Sequence, residues 1–74
     1  MVRAKFVCIS KWSPENSDLT HVSFSPVTDG SEENKMFGNM TPAGLITLSV
    51  VPESTEEFIV GEQYYVDLTK VSLS

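Results

Sequence analysis

One stretch gathers the residue types that recognise small polar ligands: Ser31-Glu-Glu-Asn-Lys-Met-Phe-Gly-Asn-Met-Thr-Pro-Ala-Gly44. Phe37 offers a plate on which a base can stack. Asn34 and Asn39 offer paired donor and acceptor groups for reading base edges. Lys35, Thr41 and the backbone N–H groups around Gly38 and Gly44 offer donors to phosphate oxygens, as amides in turns do. The candidate ligand-binding set is therefore Asn34, Lys35, Phe37, Asn39 and Thr41. One such segment is small. An enclosed site needs two of them, facing each other across a symmetric interface, with Lys35 and Phe37 projecting into the hollow. The competing reading is structural, with Met36 and Phe37 as core residues beneath a long loop and Lys35 as a solvated tip.

Catalysis has no comparable constellation. General acid–base work needs paired groups within hydrogen-bond reach in a water-excluding site. The chain holds one histidine and one cysteine, and it lacks HExxH, GxSxG, P-loop and dinucleotide fingerprints. The paired acids Glu32-Glu33 and Glu56-Glu57 read as solvated turn residues. Cys8 reads as a small core residue and His21 as a surface histidine, since nothing at a defined spacing accompanies it. Cys8 and His21 are too few for a structural zinc site. No catalytic residue, metal or cofactor is expected.

With 74 residues the chain is expected to form one small domain, residues 1–74. Only about 60% of the unfolded surface is buried at this size, and a single cysteine allows no internal disulfide. Self-association is the remaining source of burial. Ten acidic residues against five basic ones give a net charge of −5, a poor match to long nucleic acid. No apolar run approaches the roughly 20 residues of a membrane span, and no secretory signal is readable. A lone cysteine suits a reducing cytoplasm.

The elements that position these residues read as strands. Over residues 2–12, Val2, Ala4, Phe6, Cys8 and Trp12 share one parity and Arg3, Lys5 and Lys11 the other, with Val7 and Ile9 interrupting the wet side. Residues 13–18 turn. Residues 19–27 return as a second strand, with Val22, Phe24 and Pro26 alternating with His21, Ser23 and Ser25. Asp29 or Ser31 caps a single helical turn, Glu32 to Lys35, and residues 36–40 read as a short irregular strand. Residues 45–51 form a further strand, with Ile46, Leu48 and Val50 on one face. Ser54 and Glu57 have capping-box spacing, which predicts a helical turn over 55–58 that Phe58 and Ile59 pin to the core. The last strand, 63–73, points Tyr64 and Tyr65 to opposite faces. The expected fold is all-β and mainly antiparallel: a small curled sheet or barrel of four to five strands with one or two short helical turns, its edges completed by a neighbouring subunit.

The run Arg-Ala-Lys-Phe, then Val-Ser-Phe-Ser-Pro-Val-Thr-Asp-Gly-Ser-Glu-Glu-Asn-Lys, Thr-Pro-Ala-Gly, and the ending Phe-x-x-Gly-x-x-Tyr-Tyr-Val-Asp-Leu-Thr resembles a widespread group of very short tailed-phage proteins, from Val2 to Lys70. Ser31–Lys35 and Thr41–Gly44 are its most specific pieces. That group is similar to the phage nucleotide sponge proteins that counter cyclic-nucleotide immunity such as CBASS or Thoeris. The resemblance implies a non-enzymatic homo-oligomer, a tetramer, in the host cell cytoplasm. It implies binding of a cyclic dinucleotide or cyclic ADP-ribose-type signal through Asn34, Lys35, Phe37 and Thr41, which keeps the signal from the host effector. The rival expectations are a virion structural or decoration protein, and an inhibitor that binds a host protein.

Overall fold

A computed structural model of the chain describes residues 2–28 and 30–72. Four antiparallel strands, β1 (Val2–Trp12), β2 (Thr20–Pro26), β3 (Ile46–Val50) and β4 (Gln63–Leu68), form one sheet in the order β3-β2-β1-β4. The sheet is curled into a half-barrel. An α-helix, α1 (Glu32–Met40), joins β2 to β3, and a 3-10 helix, Pro52–Glu57, joins β3 to β4. The all-β expectation holds.

The core lies on one sheet face. Ala4, Phe6 and Cys8 of β1 and Val22 and Phe24 of β2 are buried there, with Ile46, Val50, Phe58, Tyr64 and Val66 packed around them. Phe24 meets Phe58 and Tyr64 edge-on, with ring centroids 5.7 and 5.8 Å apart. Cys8 is a free, fully buried thiol. The two tyrosines point to opposite faces, as alternation demands: Tyr64 joins this core and Tyr65 lies on the outer face beneath α1.

Strict alternation fails in one place. The β1–β2 register runs Cys8↔Phe24 and then Ser10↔Ser23, so Ile9 is an extra residue, a β-bulge. Past the bulge each side chain changes face. Trp12 pairs with His21 on the outer face, rings 5.1 Å apart, and does not join the core parity assigned to it. Lys11 opposes Val22 on the core side, where its Nζ donates to the Phe58 carbonyl at 2.9 Å.

Two local expectations are corrected. Residues 36–40 are not a strand: α1 runs unbroken from Glu32 to Met40, and no fifth strand forms among the described residues. Ser31 is the N-cap, accepting from the Asn34 N–H at 3.2 Å, and Glu32 and Glu33 suit the positive end of the helix dipole. Asp29, the other cap considered, lies outside the described residues, as does Leu73 in the predicted last strand. Asn34, Phe37 and Gly38 form the i, i+3, i+4 stripe that faces the sheet and is buried. The helix stops at Thr41, because Pro42 cannot continue it.

Ser54 does not cap a helix. The 3-10 segment starts earlier, with Pro52 in its first turn and Val51 as an N-cap without a side-chain bond. Phe58 packs on the core as expected, whereas Ile59 is exposed. The connection is pinned by polar contacts. Tyr64 Oη accepts from the Ile59 N–H at 2.9 Å and donates to the Glu57 carbonyl at 3.0 Å. Thr55 donates to buried Thr20 at 3.2 Å, which also bonds Ser13 at 2.9 Å.

Candidate functional site: the docked helix and the open apolar trough

The five predicted site residues separate into two sets, because helical periodicity turns them around an axis. Asn34 and Phe37 face inward. Phe37 is 8% exposed and its ring packs on Tyr65 of its own chain, centroids 5.8 Å apart. A base cannot stack on it while the helix stays docked. The Asn34 amide is buried, and its Oδ1 has no hydrogen-bond partner among the described residues. Lys35 and Asn39 face outward, four residues and about one turn apart, beside exposed Met36 and Met40. Among the described residues Lys35 Nζ has only a loose contact with Glu32, at 3.8 Å. Thr41 sits half-buried just past the helix end.

What docks α1 is a polar and aromatic cluster on the outer sheet face. Lys5 Nζ donates to Glu33 at 3.2 Å, and Tyr65 Oη donates to the other oxygen of the same carboxylate. Arg3 makes a two-pronged pair with Asp67, at 2.7 and 3.0 Å, across the β1–β4 register. Its guanidinium also lies 5.1 Å from the Tyr65 ring centre. Gly38 lets the helix approach the chain after β2: a Cβ at this position would stand 2.7 Å from Thr28 Cα. The part of the segment that looked most like ligand chemistry thus does two jobs. Its inner half fixes the helix and its outer half is presented to solvent.

The same cluster sets a pH dependence. The Tyr65 hydroxyl, then Lys5, hold the Glu33 carboxyl below its ordinary range, and Arg3 does the same for Asp67. Hydrogen bonding to Glu33 pushes the Tyr65 hydroxyl up. Depressed carboxyls stabilise the fold above their unfolded pKa values, and that contribution disappears as pH falls through the folded ones. The raised tyrosine stabilises below its unfolded pKa of about 10, and its contribution disappears as pH rises through the folded value. Urea midpoints are therefore expected to drop at both acid and alkaline pH. Tyr65→Phe should shrink the alkaline drop and move the acid limb up toward the ordinary carboxylate range. An alkaline limb unchanged in the variant would contradict this.

Cross-strand register creates one pairing that the sequence reading passed over. His21 opposes Ser49 between β2 and β3, with Nδ1 and Oγ 2.8 Å apart. Only the β2–β3 register could have revealed it. A nucleophilic serine needs its imidazole oriented by a third group, and donors placed for an oxyanion. Among the described residues no acid bonds the other ring nitrogen. The pair lies on an open sheet face with Trp12 against the ring, so it is a cross-strand polar contact. No group of three or more metal-binding side chains occurs among the described residues.

The core face carries the larger unexplained feature. Between β3 and β4, at opposite edges of the curled sheet, runs a trough of about 560 Å³. Phe24, Phe58, Ile46, Leu48, Tyr64, Val66 and Leu68 line it, and Tyr65 and Asp67 of β4 also reach it. Leu48 and Leu68 remain 42% and 65% exposed. The volume is that of a small-molecule site, but such sites carry a few convergent polar groups, and this lining is nearly all hydrocarbon and aromatic ring. Comparison with protein-family models, curated proteins and solved structures finds no match to the chain.

Proposed function

We propose that the protein is a non-enzymatic binding protein, working as a homo-oligomer, that sequesters a cyclic nucleotide signal of the cyclic dinucleotide or cyclic ADP-ribose type and so blocks host anti-phage defence. The observation that supports this reading is the outward row of α1. Lys35 and Asn39 stand side by side on a helix that Phe37, Gly38 and Glu33 hold fixed against the sheet. A preformed surface loses little entropy when it binds. The cation and amide address phosphate and base edges, and the neighbouring Met36 and Met40 offer a soft apolar surface to a base. The site assigned here is therefore the outward half of the predicted set, Lys35 and Asn39 with Thr41 at the helix end. Asn34 and Phe37 support it from beneath. The signal class itself comes from the resemblance to short phage proteins.

Sequestration needs tight, stoichiometric binding and no turnover. Calorimetric titration of the intact protein with a panel of cyclic nucleotides is expected to give saturable heat with at least one member. Lys35→Glu should weaken that binding by about tenfold or more, since it replaces a charge-assisted contact with a repulsive one. The far-ultraviolet spectrum should not change. No heat with any member, from a protein shown to be folded and oligomeric, would overturn the proposal. A structural role in the virion is favoured by the bare strand edges, and finding the chain in purified particles would support that second reading.

A further inference from the structure

We infer that the apolar trough between β3 and β4 is the seat of a second copy of this chain, two half-barrels closing face to face about a two-fold axis. The inference deepens the oligomeric working unit proposed above and assigns it a surface.

Three observations carry it. The chain is too open for its mass. It exposes 5447 Å², whereas a closed monomer of 8.2 kDa exposes about 4500 Å². Its radius of gyration is 14.1 Å, against about 11 Å for a compact chain of this length. The surplus of about 900 Å² is close to the roughly 800 Å² that each partner buries in a standard protein interface. Part of the exposed apolar surface lies at the trough, on Leu48 and Leu68. The molecule measures 41 × 40 × 18 Å, a curved plate whose core face is covered at its centre by Phe58 and left open toward Leu48 and Leu68. Finally, both strands flanking the trough are edge strands, each paired on one side only. No further strand of the sheet continues over the trough among the described residues, so its hydrocarbon is left for a partner surface to cover.

The lining chooses between occupants. A nucleotide would bring charged phosphates against a lining that is nearly all hydrocarbon and aromatic ring, which is unfavourable. A second trough offers matching hydrocarbon, and a two-fold contact needs only that one surface fit itself. The geometry has a consequence for the nucleotide row. α1 lies on the opposite face of the sheet from the trough, so a trough-to-trough dimer leaves both helices outward. Helices of different copies then meet only through a second kind of contact.

The test is the mass of the intact protein by sedimentation equilibrium at micromolar concentration without nucleotide. The wild type should contain an even number of chains. Leu48→Glu combined with Leu68→Glu should halve that number and raise the dimer dissociation constant by about 100-fold or more. Leu48 and Leu68 are 42% and 65% exposed in the single chain, so its circular dichroism should be unchanged. Met36→Glu, on the outer row of α1, should leave the trough contact intact. Added salt should tighten the contact, because it screens repulsion between two copies of charge −5. A single chain at every concentration, or a trough variant with the wild-type chain count, would overturn the inference. So would a lone chain whose trough is filled by an apolar small molecule or a vesicle surface. A single-chain protein that still titrates with nucleotide would sink the trough contact and leave the nucleotide reading standing; the reverse result would do the opposite.

Discussion

Phe24→Ala is expected to lower unfolding free energy by about 3–5 kcal/mol, the usual loss when a buried phenyl is cut back and the cavity only partly collapses. Phe24 is where the two halves of the core meet. It opposes Cys8 on one side and Ile46 on the other, and its ring is the edge on which Phe58 and Tyr64 rest. It is 4% exposed. Losing it loosens the attachment of the Pro52–Glu62 connection and the lining of the trough together. A chain of 74 residues has about 4–11 kcal/mol in total, so the variant should lie near or beyond the edge of folding. Urea denaturation followed by circular dichroism, at a fixed protein concentration because association adds to apparent stability, checks this. A loss below about 1 kcal/mol would mean that Phe24 is not the centre of the core.

Gly38→Ala should destabilise where helix propensity alone predicts the reverse. In a free helix the change from glycine to alanine is worth about 1 kcal/mol in favour of alanine. Here the new methyl would stand 2.7 Å from Thr28 Cα and 3.1 Å from the Thr28 carbonyl oxygen. Both are backbone atoms and cannot rotate aside. The helix must lift, which strains the Phe37–Tyr65 contact and the Glu33 bonds to Lys5 and Tyr65. Overpacking of this kind costs about 1–3 kcal/mol, so steric strain should outweigh propensity. Chemical denaturation gives the sign directly. Amide exchange over residues 32–40 should quicken in the variant, since the docked helix is what protects them. A variant more stable than wild type would show that α1 sits further from the sheet than described.

Both predictions concern residues whose role the sequence disclosed unevenly. Alternation places Ala4, Phe6, Cys8, Val22 and Phe24 on one face, and they are the core. The strands were legible because one wet and one dry side leave a period-2 trace. The bulge at Ile9 leaves no such trace. It is a property of pairing with β2, and it moves Trp12 and Lys11 to faces that their parity denies. The helix was underestimated for a related reason. Gly38 looks like a breaker until Thr28 is placed against it, and Met36–Met40 is too short for its period to decide between helix and strand. Ser54 and Glu57 match a capping box, but Pro52 fixes the start of the turn earlier. The candidate ligand segment was found as a contrast between polar cargo and strand scaffold. Which of its side chains face outward depended on the helix, so Phe37 and Asn34 were grouped with Lys35 and Asn39 although the helix turns them apart. The trough was not legible at all. Ile46 and Leu48 read as ordinary inward residues, and only the open side of the half-barrel distinguishes a covered face from an uncovered one.

The two faces of the sheet thus have separate tasks in this account. The outer face holds α1 and presents Lys35 and Asn39, and the inner face is proposed to associate. The native mass spectrum of the intact protein, incubated with the cyclic-nucleotide panel, tests both together. An assembly of an even number of chains carrying bound nucleotide is expected. A lone 8.2 kDa chain with nothing bound, from protein that is folded by circular dichroism, would contradict it.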